Sequence, residues 1–408
     1  MGLRTDAKGP RMRLPAALLS LFLLCFGSVP AHSGPVTPEE ACRLIEMAGA
    51  SNSGRATQRT GEGSATVTLR PPGQNWRIAM IDITDKEARP LMQIRALPPC
   101  NPMEARRLRR DGNGKIAAIE VLAPDLVSVI AVEPQDPPLP AMADSPHRSG
   151  SALLAHVDTG INYLLPELWP HLAADGDSRL LGYDFWDMDA RPFDVDPRRT
   201  PFFPQHHGTT VFSVLAREVP DAGIAVYRFP ATEMCRFADL VSDMAALGVR
   251  VANMSMGSGD KGDWRCFQDA AARNPQILFV VSAGNDGKDI DRQPVYPAAL
   301  TLSNMLVVTS SDSFGRLGRG SNVGASSVDV MVPGERVEVI DHRGARAETG
   351  GTSYAAPRVA ALASRFLMAN PDAGTEDIID FIRSRAIDAP GVPLAHGWIP
   401  DPTDDYGF

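Results

Sequence analysis

ILFVVSAGNDG, residues 277–287, gives the clearest indication of the fold class of this chain. It opens with an unbroken apolar run, which is typical of a strand that is buried on both faces, as in a parallel sheet. The run ends in Asn285, Asp286 and Gly287, residue types that favour a tight turn. We therefore predict a buried strand whose carboxyl end carries Asn285.

Similar apolar runs, several of them separated by helical patterns, occur before and after this strand in the sequence. Short apolar runs occupy 152–157, 223–229, 250–256, 305–311 and 328–333, and helical patterns separate several of them, at 236–248, 267–274 and 353–368. Strands that alternate with helices indicate an α/β fold, with a mainly parallel sheet covered by helices on both faces. We assign this domain to residues 151–390, followed by a carboxyl-terminal tail at 391–408. Functional groups should gather at the carboxyl ends of its strands.

A proline-rich segment at 134–150 lacks an apolar period and is predicted to be an extended linker. Before it, residues 32–133 contain a helical pattern at 38–49 and alternating runs such as 64–70. These patterns predict a small amino-terminal α+β or β unit. The unit is either an inhibitory prosegment, acting as an intramolecular partner, or a retained accessory domain.

The first 31 residues have the pattern of a secretory signal peptide. Basic residues, among them Arg11 and Arg13, precede the apolar run 16–27, and small residues follow it up to Ala31. A membrane span needs roughly 20 apolar residues, so this run is too short to form a stable membrane anchor. We expect cleavage after Ala31 and a secreted or periplasmic protein.

Composition argues against a nucleic-acid partner. The chain has 408 residues and a formal net charge of −9, which opposes binding to a polyanion. The one basic run, RRLRR at 106–110, is more typical of a solvated strand edge or loop than of a binding arm.

Of the five cysteines, Cys25 lies within the predicted signal peptide. The other four are an even number in an exported chain, so disulfides are expected and three pairings are possible. Proximity and domain layout favour Cys42 with Cys100 and Cys235 with Cys266.

Four polar residues of catalytic type stand at strand ends or helix starts. Asp158 follows the run ALLAHV, His207 precedes Gly208 at the start of a helical segment, and Ser353 lies in GGTSYAAPRVAA, residues 350–361. Each has an ordinary alternative, because Asp158 and Asn285 could form turns and Ser353 could cap a helix. From chemistry alone, either His206 or His207 could act as a general base with an ordinary pKa near 6.5.

Taken together, these residues carry a family resemblance. The segments VDTG, HGTTV, NMSMGSG, SAGNDG and GTSYAAP closely resemble the sequence blocks of the subtilisin-like serine proteases, the subtilases (peptidase family S8). The resemblance implies a serine endopeptidase that forms an acyl-enzyme on Ser353. It also implies that His207 is the general base, that Asp158 orients it, and that Asn285 stabilises the oxyanion.

The resemblance further implies a protein or peptide substrate. Ser255, Met256 and Gly257 would pair with the substrate as an added strand, and Ala283 and Gly284 would form the opposite wall of the specificity pocket. The chemistry requires no cofactor and no metal ligand.

Two departures from the family pattern, Phe212 and Ser213, stand where small residues are usual. They leave open a second hypothesis, a catalytically impaired subtilase fold that binds peptides. An esterase or lipase is disfavoured, since Ser353 lacks the GxSxG elbow.

Acidic residues crowd the segment before His207, namely Asp184, Asp187, Asp189, Asp194 and Asp196. Many family members bind structural calcium, but this spacing matches no recognised calcium loop and assigns no ligand. We predict a solvated acidic loop that faces basic substrate side chains.

Overall fold

The computed structural model describes residues 35–140, 153–229 and 233–408. The predicted signal peptide lies outside the described residues, as do residues 141–150 of the predicted linker. The described chain contains an antiparallel sheet, then a larger parallel sheet with helices on both faces. The predicted fold class is therefore confirmed.

The amino-terminal unit begins with helix α1, Pro38–Gly49. Its start is a capping box: the Glu40 N–H donates to the Thr37 hydroxyl, and the Thr37 N–H donates to the Glu40 carboxylate. Its apolar stripe, including Leu44 and Ile45, is buried against the sheet that follows.

That sheet has seven antiparallel strands in simple chain order. They are β1 Arg55–Arg59, β2 Gly63–Arg70, β3 Ile78–Asp85, β4 Pro90–Leu97, β5 Asn101–Arg110, β6 Ile116–Leu122 and β7 Val129–Pro134. Alternate residues of β2 and β3 are buried, as expected for strands with one covered face. The sequence pattern at 64–70 predicted β2.

The basic run 106–110 corrects the sequence prediction. It lies in β5, which pairs with β4 and β6 on its two sides, so it is neither an edge nor a loop. Arg106 is only 8% exposed and pairs with Glu104 and Glu133. The run looked solvated in sequence because the sequence does not show that Glu133, on strand β7, pairs with Arg106.

The second unit contains an eight-stranded sheet in which every pair of neighbouring strands is parallel. In chain order, the strands of this sheet are β8 Leu153–Asp158, β9 Gly182–Asp184, β10 Gly223–Arg228, β11 Val251–Met254, β12 Leu278–Ser282, β13 Met305–Ser311, β14 Val330–Pro333 and β17 Gly397–Trp398. Strands β15 Val337–Ile340 and β16 Arg346–Thr349 form a separate antiparallel hairpin. The spatial order is β17-β14-β13-β12-β11-β8-β10-β9. Every residue of β10 to β13 is buried, because the sheet is covered on both faces.

The helices of this unit are α2 Gly208–Glu218, α3 Phe237–Leu247, α4 Arg265–Arg273, α5 Thr352–Ala369 and α6 Thr375–Ser384. Helices α2, α5 and α6 contribute to one apolar core, and α3 and α4 contribute to another on the opposite face. Within the described ranges, no helix combines the length and the apolar character that a membrane span requires.

Both predicted disulfides are present. Cys42 in α1 is bonded to Cys100, which immediately precedes β5. Cys235, just before α3, is bonded to Cys266 in the first turn of α4. Each bond therefore closes a loop within one unit.

Candidate active site

The candidate site lies at the edge where the carboxyl ends of the parallel strands meet. Strand β8 ends in Asp158, β11 is followed directly by Ser255, and β12 leads through Ala283 to Asn285. Helices α2 and α5 begin at the same edge. The topology thus brings together segments that are far apart in sequence.

Asp158 and His207 form the best-defined contact of the site. His207 Nδ1 lies 2.8 Å and 3.0 Å from the two carboxylate oxygens of Asp158, which is 2% exposed. The Asp158 carboxylate also accepts the Thr159 N–H. An acceptor at Nδ1 keeps the proton there, so Nε2 is left as the basic nitrogen. Among the hydrogen bonds of the described residues, none involves His207 Nε2.

Two glycines allow the end of β8 and the start of α2 to approach so closely. A Cβ on Gly208 would lie 2.0 Å from the Gly160 carbonyl oxygen, and Gly160 itself has φ +100°. No larger residue fits at either position without moving the backbone. The glycines next to Thr159 and His207 are therefore part of the site geometry.

Thr159, which the sequence prediction missed as a site residue, joins the two segments. Its hydroxyl accepts the N–H groups of His207 and Gly208 and donates to the Asp194 carboxylate at 2.6 Å. Asp194 in turn accepts the Thr209 N–H. The only signal in sequence was the position of Thr159 directly after Asp158.

The surroundings of His207 alter its acidity. Burial by itself lowers the pKa of His207, but the carboxylates of Asp158, Asp194 and Asp196 outweigh it, so the pKa is raised above 6.5. The side chain keeps 33% exposure. The ordinary value predicted from sequence is therefore replaced by a higher one.

The structure also distinguishes the two neighbouring histidines. The His206 Nδ1–H donates to the Asp194 carbonyl at 2.6 Å, and its ring stacks on His342 with centroids 3.6 Å apart. Burial, aided by His342, lowers the pKa of His206. Asp158 contacts His207 instead, so only His207 has the geometry of a carboxylate-oriented base.

Ser353 is the second residue of α5, and the N-cap is Gly351. Ser353 therefore does not cap the helix. Pro357 lies inside the helix. Because Pro357 has no N–H, the Ser353 carbonyl lacks its usual helical donor, and it accepts the Ser255 hydroxyl at 3.0 Å.

The residue after Ser353 links α5 to His207. The ring of Tyr354 lies 6.1 Å from the His207 ring, and its hydroxyl is 3.2 Å from the Thr210 hydroxyl in α2. These contacts hold the starts of α2 and α5 side by side. Ser353 and His207 consequently share one edge of the sheet.

The Asn285 side chain is oriented by the start of α5. Its Oδ1 accepts the N–H and the hydroxyl of Thr352, at 2.9 Å and 3.2 Å. The amide nitrogen is thereby left as a free donor. A Cβ on Gly351, which has φ +127°, would lie 2.9 Å from Asn285 Oδ1, so this approach also depends on glycine.

A cleft of about 530 Å³ runs along this edge. The described residues that line it are Asp158, Thr159, Asp196, Arg198, Gln205, His206, His207, Phe229, Met234, Ser255, Met256, Gly257, Ser258, Asp263 and Trp264. Of the predicted substrate-binding residues, Ser255, Met256 and Gly257 belong to this lining. Ala283 is buried and Gly284 donates its N–H to Thr352, so these two lie beside the cleft at the end of β12.

The acidic segment before His207 is not a solvated loop, which corrects the sequence prediction. Asp184 and Asp194 are 1% and 0% exposed. Asp184 pairs with Arg228 at 2.8 Å, and Asp196 pairs with Arg198 at 2.6 Å. Carboxylates that are buried and already paired do not present free charge to a substrate.

One cluster brings potential metal ligands together. Asp194, His206 and His342 have ligand atoms within 4.8 Å of one another. However, the two rings are stacked with an interplanar angle of 14°, so one ion cannot lie in both ring planes. The Asp194 carboxylate already accepts Thr159 and Thr209. We assign no metal ligand to this geometry.

The sequence of the second unit matches a known protein family. The sequence model of the subtilase family matches residues 150–398. The chain belongs to the subtilase family. The match covers the second unit from just before β8 to the end of β17.

Individual subtilases are similar at modest identity. The thermophilic serine proteinase of Bacillus sp. (strain AK1) is 30% identical over 225 residues, 52% of this chain and 51% of that protein. The halolysin-like extracellular serine protease Nep of Natrialba magadii is 28% identical over 250 residues, 58% of this chain and 43% of that protein. This chain thus spans about half the length of these relatives or less.

A solved protease structure is similar to this chain in fold. The crystal structure of a lanthipeptide protease superposes with a TM-score of 0.51 at 20% identity, covering 61% of this chain and 85% of that one. At this identity the likeness concerns the fold alone.

Proposed function

We propose that this protein is a serine endopeptidase that hydrolyses peptide bonds through an acyl-enzyme on Ser353. Membership of the subtilase family supports serine protease activity. The observation that carries the proposal is the bond between His207 Nδ1 and the buried Asp158 carboxylate, with Ser353 at the adjoining helix start.

The geometry supports a role for each group. His207 Nε2 takes the proton of the Ser353 hydroxyl as the oxygen attacks the scissile carbonyl. The Asp158 carboxylate holds the Nδ1–H tautomer and stabilises the imidazolium that forms. His207 then donates its proton to the leaving amine, and water releases the acyl group by the reverse sequence.

The negative charge of the tetrahedral intermediate needs preorganised donors. The Asn285 amide nitrogen is one, because Thr352 occupies the Asn285 oxygen. The Ser353 N–H at the start of α5 is the other, and the dipole of this helix favours negative charge there. These groups supply all the proton transfer and charge stabilisation required, so the chemistry needs no metal or organic cofactor.

A protein or peptide substrate would bind in the cleft in an extended conformation. Ser255, Met256 and Gly257 would pair with its backbone as an added strand. Ala283 and Gly284 would bound the specificity pocket beyond the end of β12. The apolar lining of the cleft, including Phe229 and Trp264, would contact substrate side chains.

Export is supported by the amino-terminal pattern at 1–31 and by two disulfides, which persist in oxidising compartments. The relative from Natrialba magadii is an extracellular protease by name. We propose a chain in which an accessory unit at 32–133 and a linker at 134–150 precede the catalytic domain at 151–390 and the tail at 391–408.

The departures behind His207 are compatible with catalysis. Phe212 is fully buried, and its ring lies edge-on to His156 at 5.7 Å. The Ser213 hydroxyl donates to the Thr210 carbonyl and accepts the Ile340 N–H. Both side chains are thus accommodated by packing and hydrogen bonds, so these departures give no support to a protein that only binds peptides.

The test is Ser353→Ala compared with the wild type. We expect hydrolysis of a chromogenic peptide and labelling by a fluorophosphonate in the wild type, and neither in the variant. The variant should retain the wild-type unfolding transition, because the Ser353 hydroxyl caps nothing. Equal hydrolysis by both proteins would refute the assignment of the nucleophile.

A further inference from the structure

The amino-terminal unit packs against the segment that leads to His207. We name residues 185–207, between β9 and α2, the His207 loop. We infer that the amino-terminal unit is a positioning part of the enzyme that holds the His207 loop, and that it does not act as an inhibitor of the cleft. The inference rests on the proposed peptidase activity for its kinetic consequence, but its structural basis is independent of it.

The first contact joins β5 to Phe202 and Phe203. The buried Arg106 donates to the Phe202 carbonyl at 3.1 Å and is held by Glu133 at 2.7 Å. The Phe203 ring has Arg106 4.3 Å and Arg95 3.7 Å from its centroid. Both are cation–π contacts, which are stronger at sites screened from water.

An apolar contact accompanies this polar one. Phe202 is 4% exposed and packs with Leu108 of β5 and Ile119 of β6. Its burial requires the sheet of the amino-terminal unit, since both partners are strand residues of that sheet. Removing the unit would expose this ring and the buried face beneath it.

An ionic contact joins the units further along the loop. Lys115 lies 2.5 Å from Asp136 and 3.1 Å from Asp187. Arg191 also pairs with Asp136 at 2.7 Å, and Asp136 is only 9% exposed. Lys115 and Arg191 remain partly exposed, so the network supplements the buried contacts at Phe202 in joining the loop to the amino-terminal unit.

A few hydrogen bonds connect the anchored part of the His207 loop to His207 itself. Gln205 and Asp196 exchange two backbone hydrogen bonds of 2.9 Å, which close the loop just after the anchored phenylalanines. His206 is bonded to the Asp194 carbonyl. Because Asp194 also accepts the Thr209 N–H, the start of α2 is held by the same loop.

A segment that inhibits by blocking the substrate would have to lie in the cleft. Among the described residues, every one that lines the cleft belongs to the second unit, from Asp158 onward. The amino-terminal sheet instead contacts the outer side of the His207 loop. The two roles predict opposite results: loss of a positioning contact lowers activity, whereas loss of an inhibitory contact raises it.

The experiment uses the full-length protein with Arg106→Met, which keeps the aliphatic stem and removes the charge. The matched control is Arg109→Met, on the same strand but with its side chain 59% exposed. Three quantities are measured: kcat and KM on a peptide substrate, the rate of fluorophosphonate labelling, and hydrogen exchange of residues 196–209.

We expect Arg106→Met to lower kcat and the labelling rate about tenfold, since small displacements of a catalytic group are costly. KM should change less than kcat, and exchange in 196–209 should accelerate. Arg109→Met should stay within about twofold of the wild type. Higher activity in Arg106→Met, or unchanged kcat and exchange, would overturn the inference.

A second variant keeps the inference testable if Arg106→Met does not fold. Phe203→Leu removes the aromatic ring between the two arginines from the loop side and keeps an apolar side chain. We expect a smaller effect in the same direction, and unchanged exchange and kcat in a folded sample would also overturn the inference. If the wild type were inactive while Arg106→Met still loosened residues 196–209, the proposed function would fail and the positioning contact would stand.

Discussion

The Asn285 side chain has two separable duties at the candidate site. Its oxygen accepts the N–H and hydroxyl of Thr352, and its nitrogen is the proposed oxyanion donor. Asn285→Asp keeps the shape and both acceptor contacts but replaces the donor with a second oxygen. Asn285→Ala removes the acceptor and the donor together. Comparing the two variants isolates the catalytic duty.

The expected magnitudes follow from these contacts. Loss of an oxyanion donor should lower kcat by about 10² to 10³, equivalent to roughly 3 to 4 kcal/mol of transition-state stabilisation. Loss of the two hydrogen bonds to Thr352 should lower the free energy of unfolding by about 1 to 2 kcal/mol in Asn285→Ala. Asn285→Asp should not share that loss, because it keeps the acceptor and places a carboxylate at a helix amino terminus.

The assay measures kcat and KM on a chromogenic peptide and the unfolding of each variant in urea. We expect both variants to lose kcat at nearly constant KM, although only Asn285→Ala is destabilised. Refutation would come from Asn285→Asp keeping kcat within about threefold of the wild type. A loss of kcat that was large only in the destabilised variant, Asn285→Ala, would refute it as well.

Two further predictions concern acidity and cross-linking. Because carboxylates raise the pKa of His207 and the unprotonated ring is the active form, kcat/KM should rise with pH through a midpoint above 6.5. Asp196→Asn removes one of those charges and should move the midpoint to lower pH; a wild-type midpoint at or below 6.5 would contradict this reasoning. Replacing Cys235 and Cys266 together with serine opens a loop of sequence separation 31 and should lower the free energy of unfolding by about 3 to 4 kcal/mol. A urea titration in which the double variant matched the wild type would exclude such a contribution.

Much of the fold could be predicted from local patterns. The run 277–287 predicted a buried strand, which is β12, and helical periodicity at 236–248 predicted α3. A strand that is buried on both faces is a continuous apolar run, so it can be recognised without knowing which strands pair with it. The sequence left three disulfide pairings possible, and proximity and domain layout favoured the one that the structure contains.

The failures share a physical cause. Residues 106–110 and the aspartates before His207 looked solvated because charge usually is, yet Arg106 and Asp184 are buried. Their partners, Glu133 and Arg228, are remote in sequence, and no local pattern shows that two charges will be desolvated together.

For the active site too, local sequence and tertiary contacts supplied different information. Local sequence patterns showed which residue types stand at the strand ends, and the blocks around Asp158, His207, Asn285 and Ser353 carried the family resemblance. The resemblance already indicated His207, and the tertiary structure showed that its Nδ1 contacts the Asp158 carboxylate and that Thr352 orients the Asn285 amide. These are contacts between segments joined solely by the parallel sheet, and their distances depend on how the strand ends and helix starts pack.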